Sequence, residues 1–595
     1  MHDRPAAGYE GRELRNHHLR SWTSVTDDGD FIEHLISTYF AWQHSFFQSF
    51  PERLFWSDIR TGGTKYCSKF LVNAMCAVGC LLSDRPESRQ DPDDPRTAGI
   101  DFYEEALRLQ AENTTSDVTT VAGLVLLSHL DGHRGRLSLM WSYCGQSARM
   151  ALDLGLHLRK DKPLGEQQKQ QQWSEAVVSE TMVRNQVFWG AFIADQLVSF
   201  TLGRLPQIPT SAVTVDMPQV REGEDGDMWM PPNPHLRARS PASISTVFYE
   251  VARLSKILNS TLLMFFAPTE AIKGSLLLDE YNKYLAWYHR LPTAVASLED
   301  APPHILTLHM YYHAAILLLF RPFLKATLTN SPISPSEICR TAANYISDIA
   351  MRYRRQYGVA GLHAFQPHCL VAACTIHIVN MPSIASTSYL KAACEILQEM
   401  TFRNEWALGG LGMLRAIVRK WGIILPGDVE EALYGPGAAD ADADPPWTAS
   451  VDDRMDVDST TPTVEAQRAR GKRPIYRGLL AAEMPKHTKL AVPRGLGSLM
   501  NESSGESATT SATSGSSSIR SRGTEQVNPS GAGAGSPGNT NYLFTPFPSQ
   551  PAPLLMPIHT STAGGESEVV IQELEGLNFE GNDWFDQFLG YSGEE

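Results

Sequence analysis

One acidic residue stands on an apolar face. Asp195 lies between Ala191 and Val198, in a run where Val183, Val187, Phe188, Ala191, Phe192 and Val198 recur at helical spacing. An isolated carboxylate is costly to bury, so it needs a partner. The arginines at hand are Arg149 and Arg204. A general base or ligand anchor is one reading; the other is a core ion pair of Asp195 with Arg149 and Arg204 that fixes two helices. No G-x-S-x-G, Walker loop or other catalytic constellation accompanies it, which favours the structural pair.

The remaining chemical candidates are weaker still. His309 and His313 are four apart, as two metal ligands on a helix would be, but they lack an H-E-x-x-H frame and an obvious third ligand. Asp91, Asp93 and Asp94 form DPDDP, whose prolines read as a loop, and no second acidic motif completes a magnesium site. Gly533, Gly535 and Gly538 match G-x-G-x-x-G inside a Ser/Gly/Pro tract with no strand before and no helix after, so that match is compositional. None of the eight cysteines forms a C-x-x-C. Cys76 and Cys80, four apart in an apolar run, read as buried thiols. These readings leave no catalytic, cofactor or metal residue and predict that the protein is not an enzyme.

The elements that must carry these residues are helical. Apolar residues recur every three or four positions from about 21 to 428: in Phe31 to Phe50, Leu137 to Leu152, Val183 to Val198, Val247 to Phe266, Leu276 to Leu291, His304 to Phe320, Ile338 to Arg355, Pro367 to Val379, Leu390 to Phe402 and Leu411 to Ile424. Gly155 and Gly203 read as helix ends, and Pro322 ends or kinks the segment before it. Strand signals are scarce. The expectation is an all-α fold with looser insertions at 160–174 and 222–239.

The 595 residues exceed one ordinary domain, and the formal net charge of -15 argues against a surface that grips duplex DNA by itself. No unbroken apolar run reaches membrane-spanning length, so no membrane partner is expected.

Three segments, read as a set, carry a family resemblance: GRLSLMWSYCGQSARMALDLGLHLR (Gly135–Arg159), RNQVFWGAFIADQLVSFTLGRLP (Arg184–Pro206) and LHMYYHAAILLLFRPFL (Leu308–Leu324). In this order they resemble the fungal-specific transcription factor domain, the middle region of zinc-binuclear-cluster (Zn2Cys6) regulators. The similarity runs from about 30 to 425 and is nearest the nitrate-assimilation and xylanolytic-activator groups. Relatives often show several arginines before the Phe-Trp pair and a G-R-P; here stand Arg184-Asn185-Gln186 and Gly203-Arg204-Leu205-Pro206.

The resemblance implies a nuclear regulator of RNA polymerase II transcription. Family members contact DNA through six cysteines holding two zinc ions, a pattern these 595 residues do not contain. DNA contact is therefore expected from such a module missing here, or through a partner, with no cofactor held by this chain. A homodimer and a small-molecule effector are the other partners the resemblance suggests. An all-α enzyme such as a terpenoid cyclase and a helical scaffold are the rival readings; the first lacks a catalytic set, the second a fixed period.

The C-terminal third divides further. Residues 1–20 read as a disordered stub, 21–428 as the regulatory domain and 429–567 as a disordered Ala/Asp/Pro/Ser/Gly-rich linker. The linker holds a basic patch, Arg468, Arg470, Lys472 and Arg473, suited to nuclear import. Residues 568–595 contain no Lys or Arg; there Leu574, Leu577, Phe579, Trp584, Phe585, Phe588 and Leu589 stand among acids. Such a segment suits activation: charge keeps the apolar residues solvated until a partner groove in the transcription machinery takes them.

Overall fold

The computed structural model describes residues 19–435, apart from 114, 160–174, 231–239, 270–271, 329–330, 360 and 362–364, together with 569–571. Helices of eight residues or more are α1 (Gly29–Trp42), α2 (Glu52–Thr61), α3 (Lys69–Leu82), α4 (Ile100–Glu112), α5 (Val118–His133), α6 (Leu137–Asp153), α7 (Glu175–Leu202), α8 (Ile244–Phe266), α9 (Gly274–His289), α10 (Pro303–Phe320), α11 (Pro335–Tyr357), α12 (Phe365–Val379), α13 (Ile384–Met400), α14 (Glu405–Lys420) and α15 (Gly427–Tyr434). The all-α expectation holds. Among the described residues the one ladder pairs β1 (Ala326–Leu328) antiparallel with β2 (Val569–Ile571), and each strand has three residues.

Local signals start the helices. Asp28 caps α1 by accepting from Phe31 N at 3.0 Å. Ser68 does the same for α3 through Leu71 N at 3.2 Å, and Asp117 for α5 through the amides of Thr119 and Thr120 at 2.8 and 2.9 Å. These side chains replace hydrogen bonds that a first helical turn lacks. Gly155 and Gly203 follow α6 and α7 with φ of 61° each, the left-handed turn that glycine adopts without steric cost.

Two differences from the sequence reading have physical causes. The periodic run Phe31 to Phe50 is not one helix: α1 stops at Trp42, and Ser45 Oγ donates to the Trp42 carbonyl at 2.8 Å. A serine that takes a main-chain carbonyl offers the backbone an alternative to the helical ladder. Phe46, in the turn after α1, and Phe50, in the irregular segment that follows, are nevertheless buried. At the other end, α15 carries the helical body past 428 to Tyr434. Val429 and Leu433 are buried there, and the Leu433 carbonyl accepts from Gln398 Nε2 at 3.0 Å and Arg415 Nη2 at 2.9 Å.

Close approach sets the packing of α1 on α3. A Cβ added at Gly79 would lie 2.3 Å from the Leu35 carbonyl oxygen, so only glycine lets the two backbones meet. The core helices are α5 and α10. In α5 every residue from Thr119 to His133 is buried, and in α10 all but Leu318 are. Contrary to the expectation from the sequence, the segment Pro303–Phe323 is long and apolar enough to span a bilayer. It is 94% buried within the body, so its apolar surface is already covered by other helices.

Distant parts of the chain share this core. Trp42, Trp229 and Tyr357 form a ring cluster with centroids 5.2, 5.5 and 6.2 Å apart, and Trp229 Nε1 donates to the Ala41 carbonyl at 2.9 Å. Arg403, on the turn after α13, pairs with Asp84, which follows α3, at 2.7 Å.

Candidate functional site

Asp195 sits on α7, fully buried. After Gly203 the chain reverses, and the Arg204 amide donates back to the Ser199 carbonyl at 2.8 Å. The turn then delivers two main-chain donors to the carboxylate. Gln207 N lies 2.9 Å from Oδ2 and 3.2 Å from Oδ1, and Ile208 N lies 2.9 Å from Oδ2. Gln196 Nε2 adds a third donor at 3.1 Å. The network extends to α8: Asn259 Nδ2 donates to Gln196 Oε1 at 2.9 Å and to the Ile208 carbonyl at 3.2 Å, and Asn259 Oδ1 accepts from Thr210 N at 3.1 Å.

The expected ion pair is therefore replaced by N–H donors. Arg149 Nη1 reaches Gln207 Oε1 at 3.1 Å, and the Arg204 guanidinium lies 5.1 Å over the Trp141 ring. A turn that follows directly on a helix can aim its amides at a carboxylate; residue types alone do not show this, which is why the sequence pointed to arginine. Burial pushes the Asp195 carboxyl up to about 6, and the amides of Ile208 and Gln207 and the Gln196 side chain pull against that rise. The hydrogen bonds that reach it come from amide N–H groups. Its geometry is that of a clamp on the 204–210 segment.

The clamp also explains why two of the motif segments travel together. Trp141, Gly145 and Arg149 on α6 face Arg204 and Gln207 after α7; a Cβ at Gly145 would come within 2.6 Å of Gln207 Nε2. The third segment is α10. There Tyr311 hydroxyl and Ser255 Oγ are 3.0 Å apart, and the Tyr311 ring packs on Phe365 at 5.6 Å.

The other candidates fall into structural places. His309 Nε2 donates to the Val295 carbonyl at 2.9 Å, and the His313 ring stacks on Tyr345 at 4.6 Å. Burial lowers both, His313 to about 3, so both are neutral. Among the described residues no group of three metal-ligating side chains converges. In DPDDP, Asp94 caps the short turn Pro95–Thr97 and pairs with Arg96 at 3.0 Å, and Asp91 Oδ1 accepts from Asp93 N at 3.0 Å. All eight cysteines are buried and free. The basic patch Arg468, Arg470, Lys472 and Arg473, the glycines near 535, and the seven apolar residues from Leu574 to Leu589 lie outside the described residues.

A second buried acid escaped the sequence reading. Asp131 on α5 accepts from the Tyr103 hydroxyl at 3.0 and 3.1 Å and pairs with Arg136, while the guanidinium groups of Arg134 and Arg136 cover the Tyr103 ring at 4.5 and 4.7 Å. Burial raises its carboxyl to about 6 as well. Asp131 interrupting an apolar helix was the available signal. Two cavities accompany these networks. One, of about 30 Å³, is lined by Gln43, Phe47, His129 and Trp406 among others and has room for about one water. The other, of about 240 Å³, is more polar and includes Asp28, Arg85, Glu87 and Asp101.

Comparison with known proteins decides the class. Residues 36–290 match the fungal specific transcription factor domain. The chain carries a fungal-specific transcription factor domain. It is 34% identical over 425 residues to the nitrogen assimilation transcription factor nirA of Emericella nidulans, which covers 68% of this chain and 46% of that protein. It is 32% identical over 431 residues to the nitrogen assimilation transcription factor nit-4 of Neurospora crassa, covering 69% of this chain and 38% of that protein. The notoamide biosynthesis transcriptional activator notL' of Aspergillus versicolor is 24% identical over 448 residues, 71% of this chain and 69% of that one. The chain thus spans less than half the length of the first two. The family and these relatives are transcription factors and not enzymes. No solved structure matches the chain. The matched domain contains the first two motif segments, and the third lies beyond residue 290.

Proposed function

We propose that the protein is a nuclear regulator of RNA polymerase II transcription, that its helical body is the regulatory region and that its last 28 residues are an activation segment. The observation that carries this is the domain match at 36–290 together with two relatives named as nitrogen assimilation transcription factors. On the same ground, nitrogen-assimilation genes are the target class. Sequence-specific contact with DNA is made through the family's zinc cluster, on a segment joined to this one, or through a partner. Arg468, Arg470, Lys472 and Arg473 serve nuclear import. The Asp195 clamp and the buried core fit a regulatory role, because they hold a rigid body together without supplying a reaction.

The tail works through its apolar residues. Burying Trp584, Phe585, Phe588 and Leu589 in a partner groove is worth roughly 1.5–3 kcal/mol each before the ordering cost. The test fuses residues 566–595 to an unrelated DNA-binding domain before a reporter. Changing Trp584, Phe585 and Phe588 to Ala, at constant charge, removes most of the output, while Glu594→Gln with Glu595→Gln changes little. A silent fusion, or harmless aromatic changes, refutes the activation segment. For the target class, deletion of the gene lowers nitrogen-assimilation transcripts in the source fungus; unchanged transcripts refute it.

A further inference from the structure

The helical body contains a single strand among its described residues, β1, and its partner comes from the far end of the chain. After α10 and the turn at Pro322, Ala326–Leu328 extends with Ala326 and Leu328 buried and Thr327 exposed. Its antiparallel partner is Val569–Ile571, in register Ala326 to Ile571, Thr327 to Val570 and Leu328 to Val569. An unpaired edge strand presents main-chain N–H and C=O groups that call for another strand.

The sequence singles out the same occupant independently. After residue 435, Val569-Val570-Ile571 is the one place where Val or Ile residues stand side by side. β-Branched residues favour the extended chain. The charges that flank the two strands in sequence are opposite as well: Lys325 precedes β1, while Glu566, Glu568 and Glu573 surround β2. Leu574, the first of the seven apolar residues read as the activation set, follows Ile571 by three positions.

We propose that the Ala326–Leu328 edge is the receptor of an intramolecular tail clamp. It captures Val569–Ile571 by main-chain pairing and so anchors the start of the acidic, aromatic-rich segment to the helical body. The mode is strand addition to a free edge, in which backbone hydrogen bonds supply the binding. The segment then meets its partners beside the body instead of at the end of a long free tether. The importance of the anchor rests on the activation reading; its existence does not, and the experiment below contains no transcription readout.

The test uses the full chain. Thr327→Cys with Val570→Cys places two thiols on directly opposed residues, whose Cβ atoms lie about 4.5–5.5 Å apart in an antiparallel pair, near disulfide reach. The eight native thiols are buried and do not compete. Under mild oxidation this pair closes at least about tenfold faster than a control pair of Val570→Cys with Ser57→Cys, which is exposed on α2. Hydrogen exchange gives a second, cysteine-free measurement. Val569→Pro and Val570→Pro are compared because successive N–H groups point to opposite sides of a strand, so one of the two must remove a ladder bond. Both lie outside the helical body and leave it folded. In at least one of them the amides of Thr327 and Leu328 exchange about tenfold faster. Oxidation no faster than the control pair, or exchange unchanged in both proline variants, overturns the clamp.

Discussion

Replacing Asp195 separates two accounts of what a buried acid does. In the structure its oxygens accept from the amides of Gln207 and Ile208 and from Gln196 Nε2, while Arg149 and Arg204 are directed elsewhere. Asp195→Ala leaves two inward-facing amides without an acceptor, at about 1–3 kcal/mol each, so the loss is about 2–6 kcal/mol. Asp195→Asn keeps one carbonyl oxygen, which can take the Ile208 and Gln207 donors together, and it removes a charge that burial disfavours. Its cost is about 1–2 kcal/mol. Arg149→Ala, which loses one bond at the surface, costs less than about 1 kcal/mol. The assay is the urea midpoint of the full chain followed by tryptophan fluorescence and circular dichroism, read as differences between variants because a protein this large need not unfold in one step. An ion pair behaves otherwise: Ala, Asn and the arginine change would then all be costly. Equal losses for Asp195→Ala and Asp195→Asn, or a large loss in Arg149→Ala, refute the amide clamp.

Other outcomes follow from the same contacts. Asp195 and Asp131 both stand near 6 when folded, above their ordinary value near 3.8. A raised carboxyl takes its proton in the folded protein first, so these two groups favour folding increasingly as pH falls from 7 through 6 toward 4. In Asp195→Asn the gain in urea midpoint between pH 7 and pH 5 is smaller than in the parent; an equal gain refutes the assignment. Gly79→Ala puts a Cβ 2.3 Å from the Leu35 carbonyl, where backbone must move, and destabilises by about 1–3 kcal/mol despite alanine's better helix propensity. Gly145→Ala meets only the ends of the Gln207 and Arg149 side chains and costs less, as a thermal melt of both variants shows. The eight thiols, all buried, react with a maleimide only after unfolding, which mass spectrometry counts directly.

Much of the fold is legible because most helices have one wet face. Apolar residues at every third or fourth position expose α8, α11, α13 and α14, and the structure places their bounds within a turn or two of the periodic runs. Helix α5 is buried on all sides, so its residues carry no amphipathic period and the element was not read at all. The eight-residue helix α15 has too few turns for a pattern to emerge. At the site, burial of Asp195 was legible from its apolar neighbours. Its partners were not, because main-chain amides have no letter in a sequence and depend on how the chain turns after Gly203. Pairing of β1 with β2 was hidden for a related reason: it joins residues more than 240 positions apart through backbone groups that every residue shares.

The Trp42, Trp229 and Tyr357 ring cluster bears on how such a protein can be dissected. The region by which the family is recognised ends at residue 290, yet one of the three rings and the core helix α10 come after it. A deletion drawn at that border removes the centre of the body and exposes the apolar faces that remained. The product would be cleared by quality control or retained in aggregates, and loss of activity in it would say nothing about regulation. The smallest unit that can be moved intact between proteins runs from before Gly29 to Tyr434.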